Sequence, residues 1–488
     1  MLSGADTLRS PAWWLARLGG ELADRRAGRS GGRTWSRGLV VSNRQRPPLD
    51  LLDDHVRGDP PLLGCAEAWR ENFREVARMA RLNVATLAVE AKSDRMTLRG
   101  FRTAAADDEL GDRMARDLMV VNDLEVKAPE VHDGMLALAD SYAMVVPPSS
   151  GNPWPLVTVE DAREVITAHD PVTGQVIAAL KMFRDDWDDA DRAYLFIRDG
   201  KAVRRWVAAK RGVSSLANPQ ANVWRLARSW EWETAGDPVP LGRMPVVRFR
   251  NRRGVGEFER HLDTIDRIND QILDKLVIAK IQAFRQRGVK GLPDTELVTG
   301  SDGRPEEREV DYTDVFTADP GALWLLPADV DIWESAQTDF RPLLEAIKDD
   351  LEHFAAVTAT PLHIITPDAA SGSAEGASLM REQHIFAVGR CQAHATVGWR
   401  EVIATCFAFR GDTERADATQ IQPIWGPTER HSLSESTQAA AAVTSILPRE
   451  AIWTDVLQYP PTEVDNLRIM QGRDLLYQAD GDGPAPPA

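Results

Sequence analysis

Few residues in this 488-residue chain stand at spacings that do chemistry. The run Gly372-Ser373-Ala374-Glu375-Gly376 superficially resembles the turn that exposes a nucleophilic serine in hydrolases. Its serine sits one position early and a helical pattern follows with no strand before it, so no nucleophile is assigned. Asp349, Asp350 and Glu352 place acids close together on a helical run, without the glycine-containing loop that calcium coordination needs. The nine histidines are scattered, and His384 and His394, like His353 and His363, lack zinc-ligand spacing. The phosphate-cradling and zinc-protease patterns GxGxxG, GxxxxGK[ST] and HExxH are absent. Cys65, Cys391 and Cys406 are widely spaced with no CxxC, which points to a reducing compartment and away from a structural zinc. Fifteen tryptophans run from Trp13 to Trp453 without clustering, as core and interface residues do. The expectation is therefore no catalytic residue, no metal and no cofactor.

Composition sets the outer bounds. The chain is 43% hydrophobic and 27% charged, as in soluble proteins of two to four domains. Its formal charge of −16 disfavours nonspecific capture of nucleic acid. No apolar run approaches the roughly 18 residues of a membrane span, and no signal peptide is read at the N-terminus. Charge is uneven, however: residues 1–46 hold nine arginines against Asp6, Glu21 and Asp24. With the mobile-looking run Gly28–Gly38, residues 1–60 are expected to be a partly flexible arm, either a solvated terminus or a contact for nucleic acid or an acidic partner. Residues 479–488 read as a disordered tail.

The elements follow from hydrophobic period. Helical patterns are expected at Ala66–Met79, Asp107–Val120 and Glu130–Ala143, the last running into a strand-like YAMVVPP. Residues 155–250 form a β-rich block, with hairpin turns at Asp170–Gly174 and Asp199-Gly200 and a solvated loop at Asp185–Arg192. Gly254 and Gly256 mark a hinge, and a long helix is expected from about Glu257 to Arg287. On it Phe258, Leu262, Ile265, Ile272 and Leu276 follow steps of four and three, a heptad-like stripe. The stripe is either the core of one domain or a seam between subunits. A small β-containing piece spans 289–331, and a second helix, Thr338–Thr358, returns. After a Pro- and Gly-punctuated loop, Ala374–Phe409 forms a proline-free helix of about 36 residues, roughly 54 Å long. Helices of that length usually cross between domains or pack on copies of themselves. The fold class expected is α+β, mainly helical.

In this order the segments resemble the portal proteins of tailed bacteriophages, of the siphophage type common in phages of actinobacteria. The stretches that carry the resemblance are VHDGMLALADSYAMVVP (Val131–Pro147), the hairpins HDPVTGQVIAALKMF and AYLFIRDGKAVRRW, and the run Met244–Gly291 with its strand, glycines and long helix. They continue with TATPLHIITPDAASGSAEGASLMREQHIFAVGR and with HSLSESTQAAAAVTSILPREAIWTDVL (His431–Leu457). No single motif is diagnostic; the order and spacing are.

The resemblance implies an architecture of wing, stem, clip and crown-like parts assembled as a homo-oligomeric ring of about twelve subunits at one capsid vertex. Residues 61–256 would be wing, 257–287 and 333–358 stem helices, and 288–332 the clip. Residues 359–376 would be the tunnel loop region, 377–429 the long wing helix with its following segment, and 430–478 the crown-like part. Double-stranded DNA would pass through the channel. The terminase large subunit, a head–tail connector or adaptor, and the major capsid and scaffold proteins would dock on the ring, with no membrane involved. The protein would assemble in the host cytoplasm and reside in the virion. Asp368, Ser371, Gly372, Ser373 and Glu375 would line the channel as the tunnel loop. Arg285, Arg287 and Lys290, near the stem–clip junction, are candidates for touching DNA backbone or terminase, or else basic residues complementing a helix dipole. The heptad-like stripe would be the oligomer seam. Twelve copies at −16 would carry roughly −190, a wall that repels phosphate and avoids adhesion. Two other classes remain compatible with the residues: a head-morphogenesis or adaptor protein of the virion, and an enzyme of an unrecognised family.

Overall fold

Ser10 opens the first helix, α1 (Pro11–Arg26), by accepting a hydrogen bond from the Trp13 amide at 3.1 Å, with Pro11 preset at the first helical position. Trp14, Leu15, Leu18 and Leu22 recur at helical spacing and are all buried. The computed structural model describes residues 7–30, 33–34, 46–61, 76–105, 111–211, 216, 230–283, 287–290, 295–299, 304–309, 331–334, 339–365, 374–429 and 433–479. The chain divides into two compact units. One comprises residues 1–61, 83–263 and 354–488, the other 62–82 and 264–353.

In the first unit, α1 is followed by α2 (Leu49–Val56), α3 (Val84–Ser93), β1 (Leu98–Arg102), α4 (Arg113–Val121) and α5 (Leu124–Leu138). Eight strands come next: β2 (Asp140–Val146), β3 (Leu156–Glu160), β4 (Val165–His169), β5 (Val176–Asp185), β6 (Ala190–Asp199), β7 (Ala202–Arg211), β8 (Glu231–Pro238) and β9 (Val246–Arg250). They form a five-stranded antiparallel sheet in the order β8-β7-β6-β5-β4 and a three-stranded one in the order β9-β2-β3. The turns at Asp170–Gly174 and Asp199-Gly200 join neighbouring strands, as their Asp/Gly chemistry predicts. The run Asp185–Arg192 is tighter than expected, a third hairpin turn between β5 and β6.

Helix α1 lies on the five-stranded sheet. Leu18 and Leu22 share one core with Leu180, Leu195 and Trp230. Residues 11–26 are thus part of a core, not of a flexible arm, and several of their arginines are held internally. Arg25 meets Asp140 at 2.9 Å, and Arg26 forms a bidentate pair with Asp50 at 2.9 and 3.1 Å. Arg46 pairs with buried Glu259 at 2.7 Å. The basic excess of this segment answers carboxylates elsewhere in the chain. The rest of the glycine-rich run lies largely outside the described residues.

Several helix boundaries differ from expectation, among them the helix expected at Asp107–Val120, which starts at Arg113. Helix α5 runs through Pro129 instead of starting after it, and it stops at Leu138 because Ala139 turns left-handed (φ 71°). The helix expected from Glu257 begins later, as α6 (Leu262–Ala283), preceded by one 3₁₀ turn at Glu259–His261. Gly256 is no hinge. A Cβ there would sit 2.4 Å from the Ala137 carbonyl oxygen, and the Glu257 amide bonds the Leu136 carbonyl at 2.8 Å, so this junction is packed tight.

The rest of α6 belongs to the second unit, with β10 (Arg287–Lys290), β11 (Thr295–Thr299), β12 (Pro305–Glu309) and β13 (Asp331–Glu334). Strands β10 and β13 form one antiparallel pair, β11 and β12 another. The returning helix, α7 (Arg341–Thr358), starts after β13, so residues 333–340 are not helical where described. Asp339 Oδ1 accepts from the Arg341 amide at 3.0 Å and Pro342 follows inside the first turn, which fixes the start. The first unit resumes at Phe354, within α7, and continues with the helix α8 (Ala374–Arg410), 37 residues, then β14 (Gln422–Trp425), paired with β1, then α9 (Leu433–Val443) and α10 (Pro461–Ala479). No helix among the described residues is long and apolar enough to cross a membrane.

Candidate functional site

The second unit carries an outgoing helix, a β module and a returning helix. Its two helices are tied by one polar cluster. Asp350 on α7 receives both arms of Arg267 on α6, at 2.8 and 2.6 Å, and a third bond from Gln271 at 2.9 Å. These bonds, with Arg267 foremost, hold the Asp350 carboxyl below the usual carboxylate range despite partial burial. Asn269, the polar interruption in the α6 stripe, caps a different segment: its Oδ1 accepts from the Leu82 amide at 2.9 Å. The acid cluster around Asp350 is therefore a helix-pairing device. Among the described residues no group of histidine, cysteine or carboxylate side chains could hold a metal.

The stripe on α6 splits into two parts. Phe258, Leu262 and Ile265 are buried inside a single copy, so they cannot also form a seam; this corrects that part of the expectation. The three are consumed locally by the chain's own core, with Phe258 stacked 6.4 Å from the His55 ring. Ile272 and Leu276 are only half-buried, and so are Leu273, Val277 and Ile278. This distal half is apolar on more than one face, a signal the heptad reading passed over because it tracked one stripe only.

Of the basic candidates, Arg285 lies outside the described residues. Arg287 and Lys290 fall on β10, opposite Glu334 and Asp331 in the ladder, and not on a helix end. Asp368, Ser371, Gly372 and Ser373 lie outside the described residues, and Glu375 stands in the first turn of α8.

A second cluster, which the sequence reading missed, ties the first unit together. Lys92 is fully buried on α3 and bridges to Glu257 at 3.0 Å and to the Thr358 carbonyl at 2.7 Å. Burial works against the Glu257 charge. The Lys92 ammonium, with a 2.9 Å bond from Asn251, outweighs it and holds the carboxyl low. Residues 92, 257 and 358 are too far apart in sequence for spacing to reveal the pairing. On α8, Trp399 is likewise buried, its ring edge-on to Phe249 at 5.0 Å and its Nε1 donating to His132 Nε2 at 3.0 Å. Burial alone holds that imidazole neutral, its pKa down to about 3. Cys391 and Cys406 are buried thiols, Cys391 pushed up to about 12 by burial, so neither is a ready nucleophile.

These clusters hold helices and strands in place, and none converges on a reacting atom. No curated protein matches the chain. Over residues 41–468 the chain matches the model of a family described as phage portal protein, SPP1 Gp6-like. That span takes in both units, from α2 into α10, and the chain belongs to this family of phage portal proteins.

Proposed function

We propose that the chain assembles as a ring of about twelve copies at one capsid vertex and forms the channel through which double-stranded DNA is packaged and ejected. The observation that carries this reading is the family match across residues 41–468, coinciding with the order helix, strand, hairpin, strand, helix in the second unit. On this reading α6 and α7 are stem helices and residues 288–332 the clip. Residues 61–256 and the long α8 belong to the wing, and residues 430–478 form the crown-like part. The half-buried apolar residues of distal α6, Ile272 and Leu276 among them, face neighbouring copies. The terminase large subunit and then a head–tail connector dock on the clip, with capsid and scaffold proteins around the wing. Arg287 and Lys290 contribute to that docking end. The role is structural, as for the family, and the protein does no catalysis of its own.

The acidic chain suits a conduit, since an anionic wall does not hold the phosphate backbone of a passing duplex. Residues 366–376, built of Ala, Ser and Gly between Asp368 and Glu375, form the narrowest point of the channel. Electron-microscope top views of the purified protein test the ring: a closed ring with an axial hole is expected, and a stable dimer at high concentration would refute it. Gly372→Trp tests the loop. Rings should still form, with DNA packaging reduced about tenfold or more; normal packaging removes the loop from the channel.

A further inference from the structure

One cleft in the first unit has a charge opposite to that of the chain. Its volume is about 830 Å³, and Arg198, Lys201, Arg243, Arg248 and Arg250 line it against a single acid, Glu401. Two of these cations are held largely by neutral groups. Arg198 donates to the Val176 carbonyl at 3.1 Å, and Arg243 to the Ala416 carbonyl at 2.6 Å with Glu401 farther off at 3.7 Å. Carbonyls fix a guanidinium in place without cancelling its charge. Among the cations stand Met244, Val246 and Val247, all buried within the chain, and Val397, an exposed valine of α8.

The same sheet carries the complement at its other end. The β5–β6 turn holds Asp185, Asp186, Asp188 and Asp189 around Trp187, whose side chain is 99% exposed. Arg184 and Arg192 bind several of these acids at the base of the turn. Asp186 keeps 92% of its side chain in solvent and has only a 3.8 Å approach to Arg184. An indole with no intramolecular packing is unusual for so large an apolar group. Strands β5 and β6 each have ten residues, so the turn lies about 30 Å from the end where Val176 and Arg198 border the cleft.

We infer that the Asp185–Asp189 turn of one copy docks in the Arg198–Arg250 cleft of the next, with Trp187 against the exposed Val397 and the aspartates among the arginines. The inference rests on the ring reading and deepens it by naming a contact. Tip and cleft lie on different surfaces of one chain, so the contact is heterologous, the kind that closes a ring by repetition. Nucleic acid fits the cations but leaves the exposed Val397 and the exposed indole unexplained. The charged rim would speed assembly and make it salt-sensitive.

The test uses the full chain. Asp186 and Trp187 contribute little to the fold, so Asp186→Lys/Trp187→Ser leaves circular dichroism unchanged and weakens assembly about tenfold or more by light scattering. Lys201→Glu/Arg250→Glu, at exposed cleft positions, weakens it similarly, and combining Asp186→Lys with Lys201→Glu/Arg250→Glu restores part of the loss. A ring-forming wild type whose tip variant assembles equally well, or an absence of rescue with the chain folded, overturns the contact and leaves the ring standing. A wild type that stays a single chain overturns both. If Lys201→Glu/Arg250→Glu leaves assembly intact but lowers retention of a short DNA duplex, the cleft is a nucleic-acid surface and the contact is wrong.

Discussion

The two ends of helix α6 differ in what a single chain provides for them. Near its start Leu262 and Ile265 are buried within a single copy, as is Phe258 just before them. Farther on, in the second unit, Ile272, Leu273, Leu276, Val277 and Ile278 stay half-covered, and Leu297 on the β11 strand is 73% exposed. One helix thus passes from positions whose partners lie in the same copy to positions whose partners, on the proposed reading, lie in other copies. Apolar periodicity reports that a face is to be buried; it does not report by whom.

Placing a charge at each end separates the two cases most sharply. Ile265→Asp should destabilise the isolated chain by about 4 kcal/mol or more, because an unpaired carboxylate enters a closed core. Leu276→Asp should cost about 1 kcal/mol or less in the isolated chain and yet abolish the ring. Urea midpoints under dissociating conditions, with electron-microscope particle counts, give both readings. Equal loss of midpoint at the two sites would erase the distinction.

A smaller effect comes from pH. His132 must stay neutral in the folded first unit, with its pKa down to about 3 against 6.5 in the unfolded chain. The unfolded state therefore binds the extra proton between those values. This contribution is fully present above pH 6.5 and is lost as pH falls towards 3. Between pH 7 and 5 the loss is about 2 kcal/mol. Burial lowers the pKa of His384 in the same direction. His132→Gln should flatten the pH dependence of the urea midpoint, and an unchanged slope would show that other groups dominate.

The smallest effect is expected in the second unit. Asp350→Asn weakens the Arg267 fork by about 0.5–1 kcal/mol, discounted because the Arg267 side chain is 54% exposed. Amide hydrogen exchange along residues 264–283 should quicken, while α8 is unaffected. Faster exchange at Trp399 instead would contradict the division into two units.

Local signals were the legible part of the fold. Asp and Gly at the 170–174 and 199–200 turns, and the absence of proline from 374 to 409, locate hairpins and the long helix to within a residue or so. Helix α1 was hidden because its nine-arginine surroundings read as a solvated arm, although Trp14, Leu15, Leu18 and Leu22 already form a stripe. The helix expected from Glu130 starts at Leu124 and runs through Pro129. The clusters were illegible for a different reason. Arg267 and Asp350, or Lys92 and Glu257, meet only after the chain has folded back, and no spacing announces such a pair.

Gly398 has a mechanical consequence. A Cβ there would lie 2.4 Å from the Phe249 ring, so α8 is pressed against β9 with no room to roll about its own axis. A proline-free helix about 55 Å long is thus seated on one strand through a single residue that has no side chain. Gly398→Ala would therefore force strand and helix apart or displace the Phe249 ring.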